Sequence, residues 1–273
     1  MNQRSLSLDL VALRLGDLVR RLVGLVAPRR VVTLHHLACS GGTIITKCLA
    51  TMPGALVLSE IHPERAAQPA FHALSQLQRG YGDLLKPRYQ RLIRGHFRRE
   101  IVLAHGTARS LGRQLIVRDH THVDFAWRRA RRSALFDTLL GEFRVTPIVT
   151  VRDPREVWLS LRREGWFDGT PDDLCQAQLA LLDAFPGAPV FRYEDFTSDP
   201  VRVMREICVE VGVPFAEGFE ERLSSITHLT GESGRKSEAI EPREPKPLDE
   251  PDRLAFERSV AFRALLERQG LDV

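Results

Sequence analysis

"HHLACSGGTIITKCL" occupies residues 35–49. The β-branched run from Val31 to Leu37 reads as a strand, Ser40-Gly41-Gly42-Thr43 as a tight loop, and Ile44 onward as a helix. A strand that enters a helix through tiny residues gathers free backbone N–H groups and the positive end of the helix dipole around a small concavity. That concavity suits an oxyanion, although a plain strand-to-helix turn has the same spelling. The nucleotide-binding GxxxxGK[ST] loop does not fit, because it needs Lys directly after its last glycine and the first Lys here is Lys47.

Further strands are expected at Ala55–Leu58, Gln114–Val117, Val145–Val151 and Pro189–Arg192, each separated from the next by helical patterning. Alternation of this kind implies parallel pairing with helices on both faces: an α/β fold of three layers, α/β/α, around a central parallel sheet. Asp153-Pro154 and Asp199-Pro200 mark helix starts, Asp as cap and Pro in the first helical position. Trp158 and Trp166 are expected on the helix that begins at Pro154. A final amphipathic helix is expected at about 252–268, preceded by an irregular, proline-rich loop at about 230–251.

The composition, 43% hydrophobic and 27% charged, is that of a folded globular chain. Its 273 residues are read as a single domain, 1–273. Most of the basic side chains are Arg, which suits bidentate recognition of phosphate, sulfate or carboxylate. Cys39, Cys48, Cys175 and Cys208 show no CxxC pair, which points to reduced thiols rather than metal ligands or a disulfide framework. Residues 6–26 read as an amphipathic helix, since Asp9, Arg14, Asp17, Arg20 and Arg21 interrupt the apolar run. They form neither a membrane span nor a signal peptide, and leave peripheral membrane contact open.

A second constellation is "VTVRDPREVWLS", residues 149–160. Arg152 at the end of a strand and Ser160 on the following capped helix can converge on one anion at the open end of a doubly wound sheet. Strand, small-residue loop and helix, followed far down the chain by strand-R-D-P-x5-S, resemble the sulfotransferases that use 3′-phosphoadenosine-5′-phosphosulfate (PAPS). "FRYEDFTSDP" at 191–200 and "TGESGRKS" at 230–237 are similar to two later segments of that family, in the same order.

The resemblance implies the P-loop-like sulfotransferase architecture and a direct, in-line transfer from PAPS to a hydroxyl, leaving 3′-phosphoadenosine-5′-phosphate (PAP). Ser40, Gly41, Gly42, Thr43 and Ile44 would cradle the 5′-phosphosulfate. Arg152 and Ser160 would hold the 3′-phosphate, Tyr193 would lie near the adenine, and Ser233, Gly234, Arg235 and Lys236 would cover the nucleotide. Where the family commonly has Lys or Arg just before the Ser-Gly of the first loop, this chain has Cys39, so Lys47 becomes a candidate cation.

Attack by a hydroxyl requires a general base near the sulfur. "LIVRDHTHVDF", residues 115–125, offers His120, with Arg118 as the preceding cation, at the place of the family's strand-Lys-Thr-His; Glu60 is the alternative that carbohydrate-directed relatives suggest. His35 and His36 fall on opposite faces of their strand and read as hydrogen-bonded structural residues.

Two other readings compete. His120-x-His122-x-Asp124 on an extended segment has ligand-like spacing for Zn in a metallohydrolase, but Phe125 stands where a further His would complete it. A nucleotide-binding module that is not a sulfotransferase would share the fold. The basic runs at 86–100 and 128–132 lack interleaved aromatics, so no nucleic-acid partner is expected. The expected partner is a small-molecule, lipid or glycan hydroxyl acceptor, in a groove from the loops 62–112 and 161–175, in a cytoplasmic protein with no bound metal.

Overall fold

The computed structural model describes residues 29–64, 73–230 and 240–269, with the side chains of 73–90 outside the description. The expected helix at 6–26 lies outside the described residues, as do 231–239 of the late loop.

Five strands form one sheet: β1 Arg30–His35, β2 Ala55–Ile61, β3 Gln114–Asp119, β4 Arg144–Val151 and β5 Val190–Arg192. All five were expected; the largest difference is β2, which runs on from Leu58 to Ile61. Their order is β2-β3-β1-β4-β5 and every pairing is parallel. β1 is central because "VVTLH" is apolar or β-branched at nearly every position, which a strand covered on both faces requires.

Around the sheet stand α1 Gly42–Ala50, α2 Ala73–Ser110, α3 Ala134–Leu139, α4 Pro154–Glu164, α5 Pro171–Ala184, α6 Tyr193–Ser198, α7 Pro200–Val211, α8 Glu250–Arg258 and α9 Val260–Gln269. Side chains alternate along each strand and so divide the core in two. Val32, Leu34, Ile116 and Ile148 face α1 and α7, whose Ile45, Leu49, Met204 and Ile207 are fully buried there. On the other side, Val31, Leu115 and Val117 face α2 and α3, while Val149 and Val151 form a separate cluster with α4, α5 and α9. Truncating Ile45 to Ala would cost about 2–5 kcal/mol by opening a cavity.

Both expected helix starts are present. Asp153 accepts from Arg155 N and Asp199 from Arg202 N, each with Pro in the first turn. Three expectations are corrected. Trp166 is not on the helix of Trp158, because Gly165 at φ +66° ends α4 in the left-handed region that glycine adopts without strain. The last helix is two, since Ser259 accepts a hydrogen bond from Phe262 N and starts α9 afresh after α8. Much of 62–112 is no loop but the long helix α2.

The chain leaves β1 through α1 toward β2, on one side, and leaves β4 through α4 toward β5, on the other. The connections after β1 and β4 therefore diverge, and a crevice opens between the carboxyl ends of these neighbouring strands.

Candidate functional site

The loop after β1 enters that crevice. Ser40 turns its hydroxyl back to the Leu37 carbonyl at 2.5 Å, and Cys39 stands at φ +63°, uncommon for a residue with a Cβ. Gly41 caps α1 at φ +81° and offers the helix no side-chain hydrogen bond. By contrast α3, α4, α5, α7 and α8 each have an acceptor side chain at the cap. The first turn of α1 thus presents its N–H groups and the positive end of the dipole to the crevice. Both glycines are sterically required: a Cβ on Gly41 would lie 2.0 Å from the Tyr193 ring, and one on Gly42 would lie 2.1 Å from His36 Nε2.

Arg152 comes from the end of β4 and joins this loop. Its Nη1 donates to the Cys39 carbonyl at 3.0 Å, its Nη2 to Glu156 Oε2 at 3.0 Å, and its guanidinium lies over the Tyr193 ring at 4.8 Å. Tyr193 is buried between Arg152 and Gly41. Ser160 donates to the Glu156 carbonyl at 2.9 Å, so Glu156 and Ser160 follow one stripe of α4, which Arg152, just ahead of the helix, joins through Glu156. The Glu156 carboxylate also accepts from Lys246 N at 2.8 Å, which docks the described end of the late loop beside the stripe.

Arg118, on β3, is 2% exposed and donates five hydrogen bonds. Nε bonds His36 Nε2 at 2.8 Å; Nη1 bonds Ser59 Oγ and the Thr230 carbonyl, each at 3.2 Å; Nη2 bonds Thr43 Oγ1 at 3.0 Å and Glu60 Oε1 at 2.9 Å. These are all the donors that a guanidinium has. To act as a substrate-facing cation, Arg118 would have to exchange one of them. Burial lowers its pKa to about 10, against the pull of Glu60, so it remains charged at neutral pH. Glu60 sits where the pairing of β2 with β3 shifts register, at φ +51°, and this bulge turns its carboxylate toward Arg118. His36 donates from Nδ1 to the Leu37 carbonyl at 2.8 Å, which leaves Nε2 to accept from Arg118. Burial, and then the Arg118 charge, hold its imidazolium well below the ordinary value, so the ring is neutral.

His120 follows β3 directly. It is half-buried, and burial lowers its pKa from 6.5, opposed by the neighbouring Glu60 charge. Its ring centroid lies 6.1 Å from Trp127. The segment after it is not extended, as the sequence reading assumed: a π-helical turn, Val123–Trp127, starts within it. His122 Nδ1 accepts from Ala38 N at 3.4 Å, while Asp124 accepts from His62 Nε2 at 3.2 Å and from Ala134 N at 2.7 Å. No group of three His, Cys, Asp or Glu among the described residues is placed to hold a metal ion.

The basic run after Trp127 is largely neutralised in place. Arg128 pairs with Glu64, as does Arg94 from α2; Arg129 pairs with Asp173 at 2.9 Å and Arg132 with Asp137 at 2.7 Å. Lys47 is half-buried on the last turn of α1, beyond the loop rather than in it. Ile44 is buried against the core and contributes backbone only. Ser233, Gly234, Arg235 and Lys236 lie outside the described residues. Sequence reasoning missed Glu156, Ser59 and Thr230. Glu156 was signalled by its i+4 spacing from Arg152, whereas Ser59 and Thr230 had no local signal.

No family model and no curated protein matches the chain. Solved structures do. The sulfotransferase domain from the olefin synthase of Synechococcus PCC 7002 matches with a TM-score of 0.58 at 19% identity, over 90% of this chain and 96% of that one. The sulfotransferase domain from the curacin biosynthetic pathway matches with a TM-score of 0.51 at 16% identity, over 90% of this chain and 99% of that one. The chain has the α/β fold of these sulfotransferase domains, with its parallel sheet and helices on both sides.

Proposed function

We propose that this chain, read as one sulfotransferase domain, transfers the sulfuryl group of PAPS to a hydroxyl of a small-molecule, lipid or carbohydrate acceptor by direct in-line displacement. The observation that carries the reading is the bond from Arg152 to the Cys39 carbonyl, which unites the two motifs of the resemblance in one crevice. The residues fit an anionic nucleotide: an uncapped helix start, a glycine pair without side chains and a guanidinium at one switch point. A phosphate on Arg152 would share its Nη2 with Glu156.

When bound, PAPS supplies a sulfur whose new bond to the acceptor oxygen forms as its bond to the 5′-phosphate oxygen breaks, the electron pair leaving on PAP. The N–H groups of residues 42–44 and the Thr43 hydroxyl receive the 5′ end, behind Ser40 and Gly41. Arg152 and Ser160 hold the 3′-phosphate, Tyr193 lies near the adenine, and Ser233, Gly234, Arg235 and Lys236 cover the nucleotide, as the resemblance implies. His120 accepts the acceptor proton, for which its depressed pKa keeps it neutral at pH 7; Glu60 is the alternative base. With Cys39 at the usual cation position, the α1 dipole and Lys47 offset the developing charge. A cytoplasmic setting accords with the four cysteines, all of them free. No helix among the described residues is long and apolar enough to cross a membrane.

Calorimetry with PAP tests this. The chain should bind PAP, and Arg152→Ala should weaken binding by about tenfold or more, as the loss of a charged hydrogen-bond partner implies. No PAP binding, or a larger thermal shift from ATP than from PAP, would instead support a nucleotide-binding module of another kind.

A further inference from the structure

Two tryptophans that a folded chain would ordinarily cover stand half-exposed side by side: Trp127 at 46% and Trp166 at 45%. Trp127 ends the π-helical turn after His120, and Trp166 directly follows the Gly165 that ends α4, the helix of Glu156 and Ser160. The continuations of the candidate catalytic segment at His120 and of the candidate nucleotide-binding segment at Arg152 and Ser160 therefore converge here. Trp127 Nε1 donates to the Trp166 carbonyl at 3.2 Å, which ties them together and turns the indole's one polar atom away from any ligand.

His122 braces this pair from within. Its ring meets Trp127 edge-on at 5.3 Å and Phe167 at 6.0 Å, and its Nδ1 accepts from Ala38 N in the loop after β1. Phe167 in turn meets buried Trp158 edge-on at 6.4 Å. Ring contacts thus run from Trp158 through Phe167, His122 and Trp127 to His120, whose ring is 6.1 Å from Trp127. The cations beside it, Arg128 and Arg129, are paired with Glu64 and Asp173, so the rim offers little to draw an acidic acceptor.

We propose that Trp127, Trp166 and Phe167 form the wall of the acceptor site, and that the acceptor hydroxyl is carried on an aromatic ring. This rests on the sulfuryl-transfer reading above. Flat rings stack or meet edge-on against such a wall with a preference beyond area burial alone. The chemistry agrees: a phenolic O–H, with an ordinary pKa of about 10, gives up its proton far more readily than an alkyl one. A histidine of lowered basicity such as His120 can accept that proton as the O–S bond forms.

The test is calorimetric titration of the full chain, with PAP present, by 2-naphthol, by its saturated counterpart 2-decalol, and by methyl glucoside. Naphthol should bind about tenfold more tightly than decalol, and the glucoside should not bind measurably. Trp127→Leu and Trp166→Leu should each lose about tenfold in naphthol affinity, and Trp127→Phe should stay within about threefold, all with PAP affinity unchanged. Equal affinity for naphthol and decalol, tighter binding of the glucoside, or indifference of naphthol binding to both Leu substitutions overturns the proposal. Naphthol binding through Trp127 without any PAP binding would keep the aromatic site and discard sulfuryl transfer; PAP binding without naphthol binding would do the reverse.

Discussion

Arg118 Nη2 donates to Glu60 Oε1 at 2.9 Å and to Thr43 Oγ1 at 3.0 Å, so a single buried guanidinium joins a candidate base to the loop after β1. The remaining N–H groups hold His36, Ser59 and the carbonyl of Thr230, the first residue of the late loop. In this geometry Arg118 acts as a clamp between segments, not as a free charge aimed at a ligand.

Arg118→Lys keeps the charge but cannot reproduce five bonds in a fixed fork. Its melting temperature should fall, by an amount corresponding to about 3 kcal/mol, because polar partners remain buried without it. Affinities for PAPS and for PAP, measured side by side, should drop by the same factor. A selective loss of PAPS affinity would show instead that Arg118 touches the sulfuryl group.

His120→Gln should reduce kcat by about 10²–10⁴ while PAP affinity holds. The base must be deprotonated to work, and burial depresses its pKa below 6.5, so activity should be full at pH 7 and decline only on the acid side of 6.5. If Glu60→Gln produces that loss and His120→Gln does not, Glu60 is the base.

Gly41→Ala and Gly42→Ala should each abolish measurable PAP binding. The first forces a Cβ onto the Tyr193 ring at a left-handed φ of +81°, and the second drives one into His36. Calorimetry beside circular dichroism separates loss of the loop from loss of the fold.

Stability should decline in acid through the buried histidines. Burial, followed by the charge of His120, lowers the His122 pKa to about 4, so the unfolded chain, at 6.5, binds that proton more readily than the folded one. The stability due to His122 is complete above pH 6.5 and is lost as pH falls toward 4, at a limiting slope of about 1.4 kcal/mol per unit. His36, also held well below 6.5 by burial, adds in the same direction. Urea denaturation of His122→Gln between about pH 7 and pH 5 should show a shallower dependence than the parent chain.

The sequence by itself determined the α/β class, the five strands, the caps at Asp153 and Asp199, and the small-residue loop facing Arg152. These are local properties: β-branched runs, Asp-Pro starts and glycines act through their own backbone and near neighbours. Only the tertiary structure decided how Arg118 is used, because its partners come from four distant segments of the chain and no spacing encodes them. The same is true of Trp127 and Trp166, which become neighbours because a π-helical turn and the end of α4 happen to meet beside His120. Side chains brought together by sheet order carry no signature in the linear chain, since the order β2-β3-β1-β4-β5 is settled by packing both faces at once.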